Sequence, residues 1–460
     1  MYSEKLESFR LAIGNHFITA FQNVKYRGVE VAKFLFSPEF VYKFAYASNV
    51  VNEIVKSCPA IRQDVSLADA FSLVDSDYPY SVRPGKKILI NPAEFLTDLA
   101  KLLPADRVLT SAEPVPNQAA LEQLFQTAEA ELERNQNDFI FGTPRFQSWF
   151  RDWMPKLAVE IDKYADLFDR EEIACVVTRF SFTPPGRALL WLAKSRGVPS
   201  IAYQPPVMLT LNPNIGKYCP LSEIPSVATF KTVWGPQYKE FFMSFGIPEN
   251  RLPVIGNPHF DRMFSYPATH NAEFRQRFGI PESHKIILHP AEAPNQRMIA
   301  KVAIDAVKAL PDTTLLLKVR DNERPAEREL FNDLIQEHPR IKIIGADQHI
   351  CDMMINSDIV LVFFSTCGVE SMLIGKPVVV MDVKYTPPLY SYVEHLGAPE
   401  VQNGKELAAL LQKLFTDPLF NEEIRAREAA RLPYLCVPDD QSLLRLAEFT
   451  LKVADGEYRI

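Results

Sequence analysis

From residue 174 onward the apolar positions fall into a regular rhythm. Short unbroken runs of β-branched and aliphatic residues have the pattern of strands buried on both faces. They alternate with longer stretches apolar at every third or fourth position, the pattern of helices packed on a sheet. Strands are predicted at 174–178, 200–203, 229–234, 251–255, 285–289, 313–319, 341–344, 359–364 and 378–381. Helices are predicted at 183–196, 296–310, 325–338, 348–356, after Ser365, at 405–415 and at 440–454. Before 174 the rhythm is looser. Residues 4–23 carry a broad helical stripe (Leu6, Phe9, Leu11, Ile13, Phe17, Ile18, Phe21), and 29–36 reads as a strand broken by Ser37-Pro38-Glu39. Residues 86–91, 93–103 and 107–111 read as strand, helix, strand, followed by helices over 118–135 and 145–168. The aromatic spacing of that last helix (Trp149, Phe150, Trp153) is a packing pattern. Residues 47–82 give no clear reading.

Strand-to-helix alternation stops and restarts around Gly256-Asn257-Pro258-His259-Phe260-Asp261. The expected architecture is therefore α/β, with two Rossmann-like doubly wound domains, 1–255 and 256–435, and extra helices at the N-terminus. A proline- and asparagine-rich loop at 205–226 interrupts the first domain, and loops of that length are uncommon unless functional.

Composition narrows the function classes. The 460 residues are 47% hydrophobic and 23% charged, enough for two or three folded domains. A net charge of −7 argues against nucleic acid as a partner. Six scattered cysteines (Cys58, Cys175, Cys219, Cys351, Cys367, Cys436) form no C-x-x-C pair, so neither zinc nor a disulfide framework is expected. No secretory leader pattern opens the chain and no apolar run reaches the ~20 residues of a membrane span. A cytoplasmic protein is expected, able to meet a membrane-bound acceptor at the inner face.

Candidate chemistry gathers at predicted strand ends. In 358–382, Ser365 and Thr366 stand at a strand end where a helix begins. There free N–H groups and the helix dipole favour a phosphate, and Gly368 allows close approach of a ligand. Glu370, one turn on, has the placement of an acidic residue that accepts ribose hydroxyls. His289 ends another strand and can donate to a phosphate oxygen, while Lys318 and Arg320 end a third and supply positive charge. Arg179 and Gln204 lie just past strand ends of the first domain. Asp75-Ser76-Asp77 spells D-x-D but follows no clear strand and reads as a turn. There is no G-x-G-x-x-G, Walker loop, G-x-S-x-G elbow or metal-spaced histidine pair, and no cofactor is expected.

The Ser-Thr…Glu…Gly-Lys-Pro-Val wording of 365–378 resembles the nucleotide-binding stretch of GT-B glycosyltransferases and of the related UDP-N-acetylglucosamine 2-epimerases. Arg179, Gly256-Asn257-Pro258 and Asp261 are similar to a phrase in bacterial polysaccharide glycosyltransferases of that fold. The His-Pro and Ser-Thr pairs resemble sialyl- and Kdo transferases that use CMP-activated sugars. In those, however, the His-Pro follows the strand that here ends in Lys318, so the donor base stays open. The resemblance implies two domains facing a cleft and a last helix, 436–460, crossing back to the first. It implies an inverting, metal-independent transferase that takes a CMP- or UDP-linked sugar to a glycan or glycolipid acceptor. On that reading His289, Lys318, Arg320, Ser365, Thr366, Gly368 and Glu370 hold the donor nucleotide, and Arg179, Gln204 and Asn257 face the cleft. The general base is one of Glu39, Asp75, Asp77 and Glu113. A sugar-nucleotide epimerase and a non-catalytic nucleotide-sugar binder are the alternatives.

Overall fold

The computed structural model describes residues 13–14, 16–35, 87–91, 96–110, 117–179, 184–204, 228–244, 247–291, 296–320, 331, 338–363, 365–381 and 396–458. The 205–226 loop, the 325–338 helix apart from Phe331 and His338, and the carboxylates Glu39, Asp75, Asp77 and Glu113 lie outside the described residues.

A two-strand antiparallel hairpin, β1 (Lys25–Tyr26) and β2 (Val29–Glu30), precedes the first large sheet. That sheet contains β3 (Lys87–Ile90), β4 (Val108–Leu109), β5 (Ile173–Thr178), β6 (Ser200–Tyr203) and β7 (Phe230–Thr232), in the order β4-β3-β5-β6-β7, all parallel. Its helices are α1 (Leu96–Leu102), α2 (Gln118–Arg134), α3 (Pro144–Arg170) and α4 (Pro184–Ser195). Every residue of β5 is buried, because helices cover both faces of the sheet. Period-two alternation sorts the side chains. Leu89 joins the core under α3 and α4, while its neighbours Ile88 and Ile90 join the core on the opposite face. The aromatic stripe of α3 packs inward: Phe146 and Phe150 stack with ring centres 5.7 Å apart, and Phe21 lies 4.7 Å from Phe150.

The second sheet has six parallel strands: β8 (Lys285–Pro290), β9 (Thr313–Lys318), β10 (Ile341–Ile344), β11 (Ile359–Val362), β12 (Val378–Met381) and β13 (Glu400–Val401). They run β10-β9-β8-β11-β12-β13, the doubly wound order whose direction reverses between β8 and β11. The helices after the first sheet include α5 (Pro236–Ser244), α6 (Gln296–Ala309), α7 (Ile350–Asn356), α8 (Cys367–Leu373), α9 (Gly404–Thr416), α10 (Pro418–Leu435) and α11 (Ser442–Ala454), with two shorter ones, Arg262–Ser265 and Asn271–Phe278, between α5 and β8. The two parallel α/β units match the expected fold class. Helix α10 packs on α5, and α11 packs on α1 and β5. The end of the chain therefore returns to the first sheet.

Three local expectations change. Residues 31–35, read as strand, are helical, and Val31, Ala32, Phe34 and Leu35 are all buried. That spacing lies on one helical face, which the short run hid. The predicted strand at 251–255 is a 3-10 turn (Glu249–Arg251) and one bridge between Val233 and Val254. Pro253 has no N–H to extend the ladder. Helix α10 was not anticipated. Its buried apolar positions are only Ile424, Leu432 and Leu435, too sparse for a periodic signal.

Candidate functional site

In a doubly wound sheet the crevice for a ligand opens where the strand order reverses, at the carboxyl ends of the strands. In the second sheet that point lies between the tips of β8 and β11. His289, near the tip of β8, is fully buried, and its Nδ1 lies 3.0 Å from the carbonyl of Leu361 in β11. A carbonyl only accepts, so Nδ1 carries the proton. Nε2 is left as an acceptor, with no hydrogen-bond partner among the described residues. Burial pushes the imidazole down to about 4. In this arrangement the N–H of the ring is turned to the Leu361 carbonyl rather than toward the strand tips. His289 is a strut across the reversal point.

Beyond β11, the Ser365 hydroxyl accepts from the N–H of Cys367 (3.3 Å) and the Ser365 carbonyl from that of Gly368 (3.0 Å). Helix α8 then carries Glu370 into the interior, 1% exposed. Its Oε2 accepts from Arg262 Nη2 at 3.2 Å, and Oε1 from the Thr366 hydroxyl at 3.4 Å. His259 Nε2 stands 3.9 Å from Oε1. Burial raises the Glu370 carboxyl above the usual range, against the pull of Arg262 and Thr366. His259 is driven down to about 2 by burial and then by the charges of Arg262 and Arg179. The ring is therefore neutral, and its contact with Glu370 is not an ion pair. Arg262 belongs to a single helical turn, Arg262–Ser265.

The first sheet reaches the same place. Its order reverses between β3 and β5, where Asn91 Nδ2 donates to Thr178 Oγ1 at 3.2 Å. Arg179 follows Thr178 directly and lies close enough to His259 for its charge to weigh on that ring. The reversal points of both sheets thus face one cluster: Arg179, His259, Arg262, Thr366 and Glu370. Sequence reading named Arg179, Thr366 and Glu370. It missed His259 and Arg262, although both sit in or beside the Gly-Asn-Pro phrase it had singled out as a boundary.

Other predicted residues sit elsewhere. The Lys318 ammonium donates to the carbonyls of Val319 (3.1 Å) and Gly345 (2.7 Å), on the side of β9 away from β8. Arg320 is exposed at the same strand end. Gln204 is buried, taking the backbone N–H of Trp234 on Oε1 and its indole N–H on the Gln204 carbonyl, each at 3.2 Å. Asn257 is buried and accepts from the N–H of His259 at 3.1 Å, holding the turn that presents that ring. Asp261 accepts the Leu443 N–H at 2.7 Å and so anchors the first turn of α11. A groove of about 650 Å³ opens at the other end of the second sheet, lined by Lys285, Asp358 and Arg425 and by none of the candidate residues. Among the described residues no His/Cys/Asp/Glu cluster could hold a metal, and no helix is long and apolar enough to cross a membrane.

No protein-family model matches the sequence, and no curated protein matches it. Solved structures share its fold. The UDP-GlcNAc 2-epimerase of Neisseria meningitidis, bound to UDP-GlcNAc, is 16% identical, with a TM-score of 0.55 over 80% of this chain and 100% of that one. The S. aureus protein MnaA, solved with UDP, is 17% identical, with a TM-score of 0.51 over 80% and 96%. The Anabaena protein HepE, in complex with UDP-glucose, is 18% identical, with a TM-score of 0.50 over 80% and 99%. These likenesses make the chain a two-unit α/β protein of the GT-B arrangement.

Proposed function

We propose that the chain is an enzyme acting on nucleotide sugars, an inverting and metal-independent glycosyltransferase of the GT-B type. One observation carries the reading: a buried carboxylate, Glu370, lies just past the reversal point of one doubly wound sheet, and His259, 3.9 Å from it, also feels the charge of Arg179, which follows the reversal point of the other. A carboxylate accepts two ribose hydroxyls, and the guanidinium groups of Arg179 and Arg262 offset the charge of a leaving phosphate. Ser365, Thr366 and Gly368 line the donor side next to Glu370, and Lys318 and Arg320, at the neighbouring strand end of β9, would add positive charge toward the phosphates. The second unit (256–435) holds the donor, the first (1–255) binds the acceptor, and 436–460 returns to the first. The base that deprotonates the acceptor hydroxyl comes from Glu39, Asp75, Asp77 or Glu113. The acceptor is a glycan or glycolipid, and the donor a CMP- or UDP-linked sugar. About a fifth of the chain has no counterpart in the Neisseria epimerase, which suits an added acceptor-binding surface.

A second reading, sugar-nucleotide 2-epimerase, is favoured by the presence of epimerases among the proteins of this fold. UDP-GlcNAc supplied without acceptor separates the two, since an epimerase converts it to the 2-epimer and a transferase leaves the sugar configuration intact. Binding is tested first, by thermal shift with CMP, UDP, GDP and CDP. A ligand at 100 times its Kd stabilises by about 2.7 kcal/mol. Glu370→Ala should weaken the responding nucleotide about 10- to 100-fold, the worth of hydrogen bonds to a charged acceptor. A folded E370A protein with wild-type nucleotide affinity would refute the assignment.

A further inference from the structure

Arg262 has no counterpart in the motifs that suggested the function, yet it makes the closest contact to the central carboxylate. We propose that Arg262 is a positioning residue: its guanidinium holds the Glu370 carboxylate in place for the nucleotide and ties it to the linker between the two sheets. The inference rests on the reading of Glu370 as the ribose-binding group.

The charges around Glu370 make the case. From its own helix it meets the Thr366 hydroxyl at 3.4 Å; from the linker, Arg262 at 3.2 Å and the neutral His259 ring at 3.9 Å. From α7 the buried Cys351 thiol is close enough to feel the charges of both Arg262 and Glu370, and burial holds that thiol protonated. Among the described residues, Arg262 is the cation that acts on Glu370. A buried carboxylate without a counter-charge takes up a proton. A neutral carboxyl offers one donor where two ribose hydroxyls require two acceptors. Arg262 opposes that protonation, and through Nη2 it fixes the rotation of the carboxylate, leaving Oε1 toward Thr366.

The chain position of Arg262 gives the pair a second consequence. Asp261, the preceding residue, anchors α11, which lies against the first sheet. Two consecutive side chains thus reach opposite ways, Asp261 to the first sheet's last helix and Arg262 to the second sheet's nucleotide side. A nucleotide that engages Glu370 therefore pulls on the linker through which the chain first passes from one half to the other.

The test uses the full chain and UDP, with CDP as a second probe, measured by calorimetry between pH 6 and 9 for wild type, Arg262→Gln, Arg262→Lys and Glu370→Ala. Wild-type affinity is expected to change less with pH than that of R262Q. R262Q should bind at least about tenfold more weakly at pH 6.5 and recover as pH rises, because base restores the carboxylate. R262K should retain most of the affinity across the range, and E370A should lose it at every pH. Thermal unfolding of R262Q, Glu370→Gln and the double variant gives a ligand-free measure. The R262Q penalty should shrink in the E370Q background. Wild-type affinity in R262Q, a loss equal at every pH, or additive stability effects would overturn the proposal while leaving the nucleotide reading intact. Failure of wild type to bind either probe would overturn both.

Discussion

Gly256 is the residue on which the join between the two sheets depends. Its φ of +86° lies in the left-handed region, and a Cβ there would overlap the Ser442 hydroxyl at the start of α11. Gly256→Ala therefore meets both a backbone penalty and a collision. It should lower stability by about 2 kcal/mol or more, read as a fall in Tm, and Ser442→Gly should restore part of the loss. An unchanged Tm would mean that α11 shifts freely, and the anchoring by Asp261 would then carry little weight.

Helix α10 carries another of the buried acids. Glu428 is 2% exposed, and its carboxyl accepts the N–H of Val378, the first residue of β12, at 3.2 Å. Burial drives it up to about 8, against the nearby Arg427 and Arg425. The sign follows from linkage: the folded state holds this proton more tightly than the unfolded chain does. The stabilising contribution is full below the ordinary value of 4.5 and is lost as pH rises through about 8. Wild-type Tm should fall over that window. Glu428→Gln keeps an acceptor for Val378 and removes the titration, so its Tm should stay flatter and exceed wild type by a few degrees at pH 9. Parallel pH profiles would show that Glu428 does not remain protonated in the fold. Because α10 packs on α8, the element that bears Glu370, the same experiment probes the support behind the candidate site.

At the scale of the whole molecule, α11 ties the end of the chain to the first sheet, packing on α1 and β5. Phe449 meets Phe230 edge-on with ring centres 5.3 Å apart, and Tyr458 at 5.0 Å. It shares a core with Ile88, Cys175, Val177 and Ile201. Phe449→Ala should cost about 3–5 kcal/mol, the usual loss for a buried aromatic, and lower the Tm of the first half without altering nucleotide contacts directly. If function needs the halves held in register, turnover should suffer more than nucleotide affinity in this variant. Equal losses in both would place α11's role in folding alone.

The sequence by itself determined which segments are strands buried on two faces. Runs such as Ile359–Val362 and Val378–Met381 have no polar position to turn toward water, so they need helices above and below. It also located Glu370 just beyond such a strand and Arg179 just beyond another, because both positions are local offsets from a strand end. Only the tertiary structure decided the order of strands, since hydrophobic pattern is the same whichever neighbour a strand takes. The same holds for the direction of the polar side chains at the rim. Lys318 turns to Gly345, and His289 turns its proton to Leu361. Arg262 finds Glu370 across 108 residues. Such pairings are set by which backbone carbonyl or carboxylate is within reach after packing, and no local spacing encodes them.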